Sequence, residues 1–153
     1  HGMSATVLRL SNVYGPRQDP HGEAGVVAIF SIRCLAGEPC TIFGDGRKTR
    51  DYVYVLDVVA AFERALHREG FGIFNIGRGI EITDRAVYET VQSATGCKLA
   101  PRYADRRPGE IERISLSSAR AARELGWTPI VDFESGVAMA VAHYRTISAR
   151  SGG

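Results

Sequence analysis

The stretch "TIFGDGRKTRDYVYV", Thr41 to Val55, places a charged pair against the start of an apolar run. Arg50 and Asp51 directly precede Tyr52–Val55, and a Gly-Asp-Gly turn separates them from Thr41–Phe43. A guanidinium beside a buried strand requires an anionic or carbonyl partner, because a buried unpaired charge is costly. Two assignments follow from the residues. Arg50 pairs locally with Asp51 or Asp57 on a sheet edge, or it holds an anionic ligand through its planar fork of donors.

Other catalytic signatures are missing. No glycine triplet matches GxGxxG or GxxGxxG, and Gly44-Asp45-Gly46 and Gly77-Arg78-Gly79 read as turns. There is no GxSxG elbow and no P-loop. His1, His21, His67 and His143 show no paired spacing, and Cys34, Cys40 and Cys97 show no metal-ligand spacing. The cysteines read as reduced thiols of a cytoplasmic protein. No metal is expected.

The elements that must position Arg50 alternate in type. Val7–Leu10 reads as a buried strand, followed by "NVYGPRQDPHGEAG" as a loop. Val26, Ile29, Phe30 and Leu35 recur at helical spacing until Gly37 and Pro39. Thr41–Phe43 and Asp51–Val55 are short strands. Asp57 is expected to N-cap a helix facing inward through Val58, Phe62, Ala65 and Leu66. "FGIFNIG" is a strand ending at Gly77. Thr83 caps a helix with Val87, Val91 and Ala94 inward, closed by Gly96. Ser117 or Ser118 opens "ARAARELGW", and Asp132 opens a last helix aligned through Phe133, Val137, Val141 and Tyr144. Trp127 is expected to anchor the last helices. The pattern is α/β.

The 153 residues suit one domain, burying about 70% of the unfolded surface. A net charge of +2 argues against nucleic acid, and no run is long enough for a membrane span. Of the 19 cationic side chains, all but Lys48 and Lys98 are arginine. Genome composition is the plain reading of that bias, and phosphate recognition applies to only a few of these arginines.

The ordered series "LRLSNVYGPRQ", "TIFGDGRKTRDYVYVLDV", "FNIGRG", "RRPGE" and "LSSARAARELGWTP" spans nearly the whole chain. It resembles the C-terminal half of the extended short-chain dehydrogenase/reductases acting on nucleotide sugars, with NAD-dependent UDP-glucose 4-epimerases most similar. The 4,6-dehydratases and decarboxylases share much of the set, and a non-catalytic nucleotide-binding protein is the remaining alternative.

The resemblance implies a fold and a division of the chain. Residues 5–16 and 71–79 would hold strands completing the Rossmann sheet of a missing NAD lobe. Residues 17–70 and 80–147 would form the substrate-binding lobe, and 148–153 a tail. In the family, the preceding half supplies the NAD motif and a Tyr-xxx-Lys pair. Here Tyr14, Tyr52, Tyr54, Tyr88, Tyr103 and Tyr144 are followed four positions on by Gln18, Leu56, Val58, Gln92, Arg107 and Ser148. The chain alone is therefore expected to bind no NAD and to be inactive. Exposed strand edges are expected to drive a homodimer or a strand-swapped assembly.

The resemblance also assigns the site. Arg50 and Arg107 match arginines on the diphosphate of a UDP-sugar, and Asn12 a donor to it. Glu110 matches the carboxylate accepting from the ribose hydroxyls. Thr41 and Phe43 would read the base through their backbone, and the helix start near Val27 would present an N–H to the anion. The backbone of Ser11 would approach the nicotinamide. Leu10 and Ser11 stand where 4-epimerases often carry aromatic residues, so the pattern departs there. Read without the resemblance, Arg107 and Glu110 make a surface ion pair and Asn12 satisfies a turn.

Overall fold

The computed structural model describes residues 3–20 and 25–151; His1 and His21, and part of the first loop, lie outside them. Strand β1 (Ala5–Leu10) pairs in parallel with β5 (Phe71–Ile76). Strand β4 (Thr49–Tyr54) pairs in parallel with β2 (Asn12–Tyr14) and antiparallel with β6 (Glu81–Thr83). Strand β3 (Thr41–Phe43) pairs in parallel with β7 (Arg102–Ala104). Helices α1 (Val26–Leu35), α2 (Val55–Leu66), α3 (Asp84–Thr95), α4 (Ala119–Leu125) and α5 (Phe133–Ser151) complete the α/β chain.

Strand β4 is the wall between two cores, and its period-two alternation explains why. Tyr52 and Tyr54 enter a core with Tyr14, Phe30, Val87, Phe133 and Val137. Val53 points the other way, into a core with Val58, Phe74, Ile76, Leu125 and Trp127. The aromatic side is built of edge and tilted contacts, Tyr14 lying 5.3–6.2 Å from Tyr52, Tyr54 and Phe133.

Several expected helix signals act as read. The Thr83 hydroxyl accepts from Ala86 N–H, and Gly96 ends α3 in the left-handed region. The Asp132 carboxylate accepts from the backbone and hydroxyl of Ser135 at the start of α5. That helix runs on through Ser151, past the tail expected from residue 148.

Other expectations are corrected. Residues 12–14 are strand rather than loop, and β6 and β7 were not foreseen. Three residues give too little alternation to register as a strand. Strand β1 is only half-buried, with Val7 and Leu10 exposed. Asp57 is no cap: Tyr54 holds that position, and buried Asp57 accepts from the amides of Ile130 and Val131. Helix α2 buries Val58 and Ala61 but exposes Phe62, and Leu66 is 82% exposed. Trp127 anchors α4 of the last helices but not α5: it joins the core of α2 and α4 and donates to the Asp57 carbonyl at 2.8 Å.

Asp51, 1% exposed, ties these layers together. Its carboxylate accepts from the backbone amides of Arg78 (2.9 Å), Gly79 (3.0 Å) and Leu116 (3.1 Å). A buried carboxylate is tolerable when amides replace its water, and three do so here. The approach requires glycine at position 77, where a Cβ would lie 2.5 Å from Asp51 Oδ2. Replacing Asp51 with alanine leaves three amides unmade. At about 1–3 kcal/mol each, partly offset by water entry, the loss is about 3 kcal/mol or more. Gly77→Ala is expected to destabilise in the same direction. Urea unfolding monitored through Trp127 measures both, and a loss under about 1 kcal/mol for Asp51→Ala contradicts the assignment.

Candidate nucleotide-binding cleft

Neither candidate carboxylate holds Arg50. Neighbours on a strand point to opposite faces, so Asp51 turns to its three amides while Arg50 turns to the other side. Asp57 is occupied by Ile130 and Val131. Arg50 Nη1 donates instead to the carbonyls of Thr49 and Ile111, both at 2.7 Å. Carbonyls fix its direction without neutralising it, and the head faces a cleft of about 630 Å³. That volume is in the usual range for small-molecule sites.

All seven residues assigned to the substrate line this one cleft: Asn12, Val27, Thr41, Phe43, Arg50, Arg107 and Glu110. They come from β2, α1, β3, β4 and the segment after β7. Arg107 and Glu110 do not form a surface pair with each other. The Arg107 guanidinium lies over the Phe43 ring, 3.8 Å from its centroid. Glu110 Oε2 accepts from Lys48 Nζ at 2.7 Å. Asn12 sits in β2 opposite Tyr52 rather than in a turn.

Helix α1 aims its N-terminus at the same space. Gly25 is the N-cap, no side chain caps it, and the first turn carries no acid. Gly25, Val26 and Val27 line the cleft, so backbone donors and the positive end of the helix face it. Arg33, Lys48, Arg50 and Arg107 stand against two lining carboxylates, Asp84 and Glu110. The cleft is net positive, as an anionic ligand demands.

Sequence reasoning missed Lys48, Asp84, Tyr14 and Tyr52 as lining residues. Lys48 Nζ bridges Glu110 at 2.7 Å and Asp84 at 3.3 Å. The signal was present as the lysine inside "GRKTRD", in a chain otherwise supplied with arginine. Its partners lie 36 and 62 positions on, too far for spacing to show them.

Ser11 stands apart from the cleft. Its hydroxyl is buried without a hydrogen-bond partner, next to Gly77 at the ends of β1 and β5. Among the described residues, no glycine-rich turn opens a helix directly after its strand. Burial pushes the phenols of Tyr14, Tyr52, Tyr54 and Tyr144 above the ordinary range, and that of Tyr88 up to about 12. Among the described residues, no cluster of three histidine, cysteine or acidic side chains could hold a metal, and no helix is long and apolar enough to cross a membrane.

The two lining carboxylates are shifted in opposite directions. The Lys48 ammonium bonded to Glu110 holds that carboxyl below its ordinary value. Burial pushes Asp84 above its own, against the pull of Lys48 and Arg50. The signs for stability differ accordingly. Pairing of Glu110 stabilises the fold above its unfolded pKa and is lost as pH falls through the lowered folded value. The strain of ionised Asp84 is relieved as pH falls through its raised value. Carboxyl titration by carbon-13 NMR is expected to find Asp84 above and Glu110 below their ordinary midpoints. Either shift in the reverse direction contradicts this arrangement.

Comparison with known proteins now defines the relationship. The model of the NAD dependent epimerase/dehydratase family matches residues 1–77. UDP-glucose 4-epimerase of Mycolicibacterium smegmatis is 49% identical over 149 residues, covering 97% of this chain and 48% of that protein. The dTDP-glucose 4,6-dehydratase of an Actinoplanes species is 37% identical over 147 residues, 95% of this chain and 45% of that protein. The crystal structure of UDP-glucose 4-epimerase with UDP-glucose from Thermotoga maritima matches with a TM-score of 0.93 at 44% identity, over 96% of this chain and 48% of that one. The chain spans about half the length of the curated relatives it matches. It belongs to the NAD dependent epimerase/dehydratase family, with the α/β fold of the C-terminal half of an extended short-chain dehydrogenase/reductase.

Proposed function

We propose that this chain is the nucleotide-sugar-binding part of an NAD-dependent UDP-sugar 4-epimerase of the UDP-glucose/UDP-galactose type. The observation that carries the reading is the convergence of seven residues from five separate segments on one net-positive cleft. In it, Arg50 and Arg107 take the diphosphate, Asn12 donates to it, and the α1 N-terminus at Val27 adds a backbone donor. Glu110 accepts from the ribose hydroxyls. The backbone of Thr41 and Phe43 reads the uracil edge, and Arg107 leaves the Phe43 ring to reach the phosphates.

The division of labour follows. Strands β1 and β5 belong with the sheet of an NAD-binding half, where the Ser11 backbone approaches the nicotinamide. When bound there, NAD supplies the hydride acceptor. The rest of this chain, residues 17–70 and 80–147, is the substrate-binding lobe. By itself the chain binds the nucleotide handle and does not interconvert sugars, since none of its tyrosines is followed four positions on by a lysine.

A 4,6-dehydratase reading is favoured by one observation, the 37% identity to the Actinoplanes enzyme named above. The base separates the two. Calorimetry of the chain with UDP, dTDP and GDP is expected to give the tightest binding for UDP. A preference for dTDP turns the assignment to the dehydratase, and equal or no binding overturns both. In the same assay Arg50→Ala is expected to cost about 2–4 kcal/mol, the scale of desolvated charge pairs. That is on the order of 30- to 1000-fold in affinity. An unchanged affinity removes Arg50 from the site.

The assembly is part of the proposal. Leu56, Val59, Phe62 and Leu66 form an exposed apolar stripe on α2, beside the half-exposed β1–β5 pair. A second copy covers that surface, as a homodimer or by strand exchange. Light scattering is expected to report a dimer, and an ordered monomer contradicts it.

A further inference from the structure

Three consecutive residues before and within β4 hold three consecutive residues of the segment that carries Arg107 and Glu110. Thr49 N–H donates to the Glu112 carbonyl at 2.9 Å, and Arg50 to the Ile111 carbonyl at 2.7 Å. Lys48 Nζ donates to Glu110 Oε2 at 2.7 Å. The first two bonds fix the backbone of the segment. Only the third fixes the Glu110 side chain.

Lys48 is itself well placed to be rigid. Its carbonyl accepts from Asp84 N–H at 3.0 Å, at the start of α3, and its ammonium reaches the Asp84 carboxylate at 3.3 Å. Its side chain is 14% exposed, against 28% for Glu110. An ammonium held between two carboxylates suppresses their mutual repulsion and decides where each points. Glu110 lines the cleft with its Oε2 engaged by Lys48, and an ionised carboxylate is an acceptor only.

We propose that Lys48 is a positioning residue for ribose recognition, holding the Glu110 carboxylate oriented so that it accepts from a vicinal diol. This rests on the nucleotide reading of the cleft given above. Lys48 does not touch the ligand; it acts through Glu110. Its specific consequence is discrimination between a ribonucleotide and one lacking the sugar hydroxyls, rather than affinity for phosphate.

The test compares UDP with 2′,3′-dideoxy-UDP by calorimetry on the chain. Charge-assisted hydrogen bonds of this type correspond to a preference for UDP on the order of 10- to 100-fold in the unsubstituted protein. Lys48→Met is expected to bring the two affinities together, chiefly by weakening UDP, and Lys48→Arg to restore most of the preference. Glu110→Gln is expected to lose it as Lys48→Met does, with the double variant no worse than either. Should Lys48→Met fail to fold, Lys48→Leu likewise removes both charge and donor and is read in the same way. A Lys48→Met protein that keeps the UDP preference, or that weakens both nucleotides equally, overturns the role of Lys48 while leaving the nucleotide site standing. Binding of neither nucleotide by the unsubstituted protein overturns the nucleotide reading itself.

Discussion

The buried Asp51 carboxylate is the constraint on which the rest depends. It collects amides from the turn after β5 and from Leu116, and so locks β4 to both. Because adjacent residues on a strand face opposite ways, this commitment sends Arg50 toward the cleft with no carboxylate of its own. Asp57 behaves similarly, spending its oxygens on the amides of Ile130 and Val131. Asp51 and Asp57, both acids that local sequence offers as partners of Arg50, are thus occupied by backbone amides. Its charge remains for a ligand.

The same strand organises the interior and the cleft. Tyr52 and Tyr54 pack into the core that supports α1, α3 and α5, and Val53 into the core of α2 and α4. Cleft residues therefore sit on rigid elements, while Arg107 and Glu110 arrive on a segment pinned at Ile111 and Glu112. Direction, net charge and an uncapped helix start agree with one kind of ligand, an anion of several oxygens.

Much of this was legible in the sequence, for reasons that can be named. The caps at Thr83 and Asp132 and the stop at Gly96 depend on neighbours three or four positions away, so local pattern suffices. The seven cleft residues came from ordered motifs. What escaped depends on distant partners. Asp57 looks like a cap because the amides that donate to it lie 73 and 74 positions on. Lys48 looks like one more surface cation because Asp84 and Glu110 meet it only in space. The apolar residues of α2 read as inward, yet Phe62 and Leu66 face out, because periodicity shows that a face is apolar without showing what covers it. Strands β6 and β7 are defined by pairing with β4 and β3, and three residues carry no period of their own.

The central claim is that both guanidinium groups serve one anion in one cleft. NMR of the isotopically labelled chain during titration with UDP tests it most directly, following backbone amides and arginine Nε resonances together. The account predicts coupled shifts at Val27, Thr41 and Phe43 and at the side chains of Arg50 and Arg107, all with one dissociation constant. Shifts that fall instead on the shallow groove between Arg85 and Tyr103, or that move the two arginines with different constants, would contradict it.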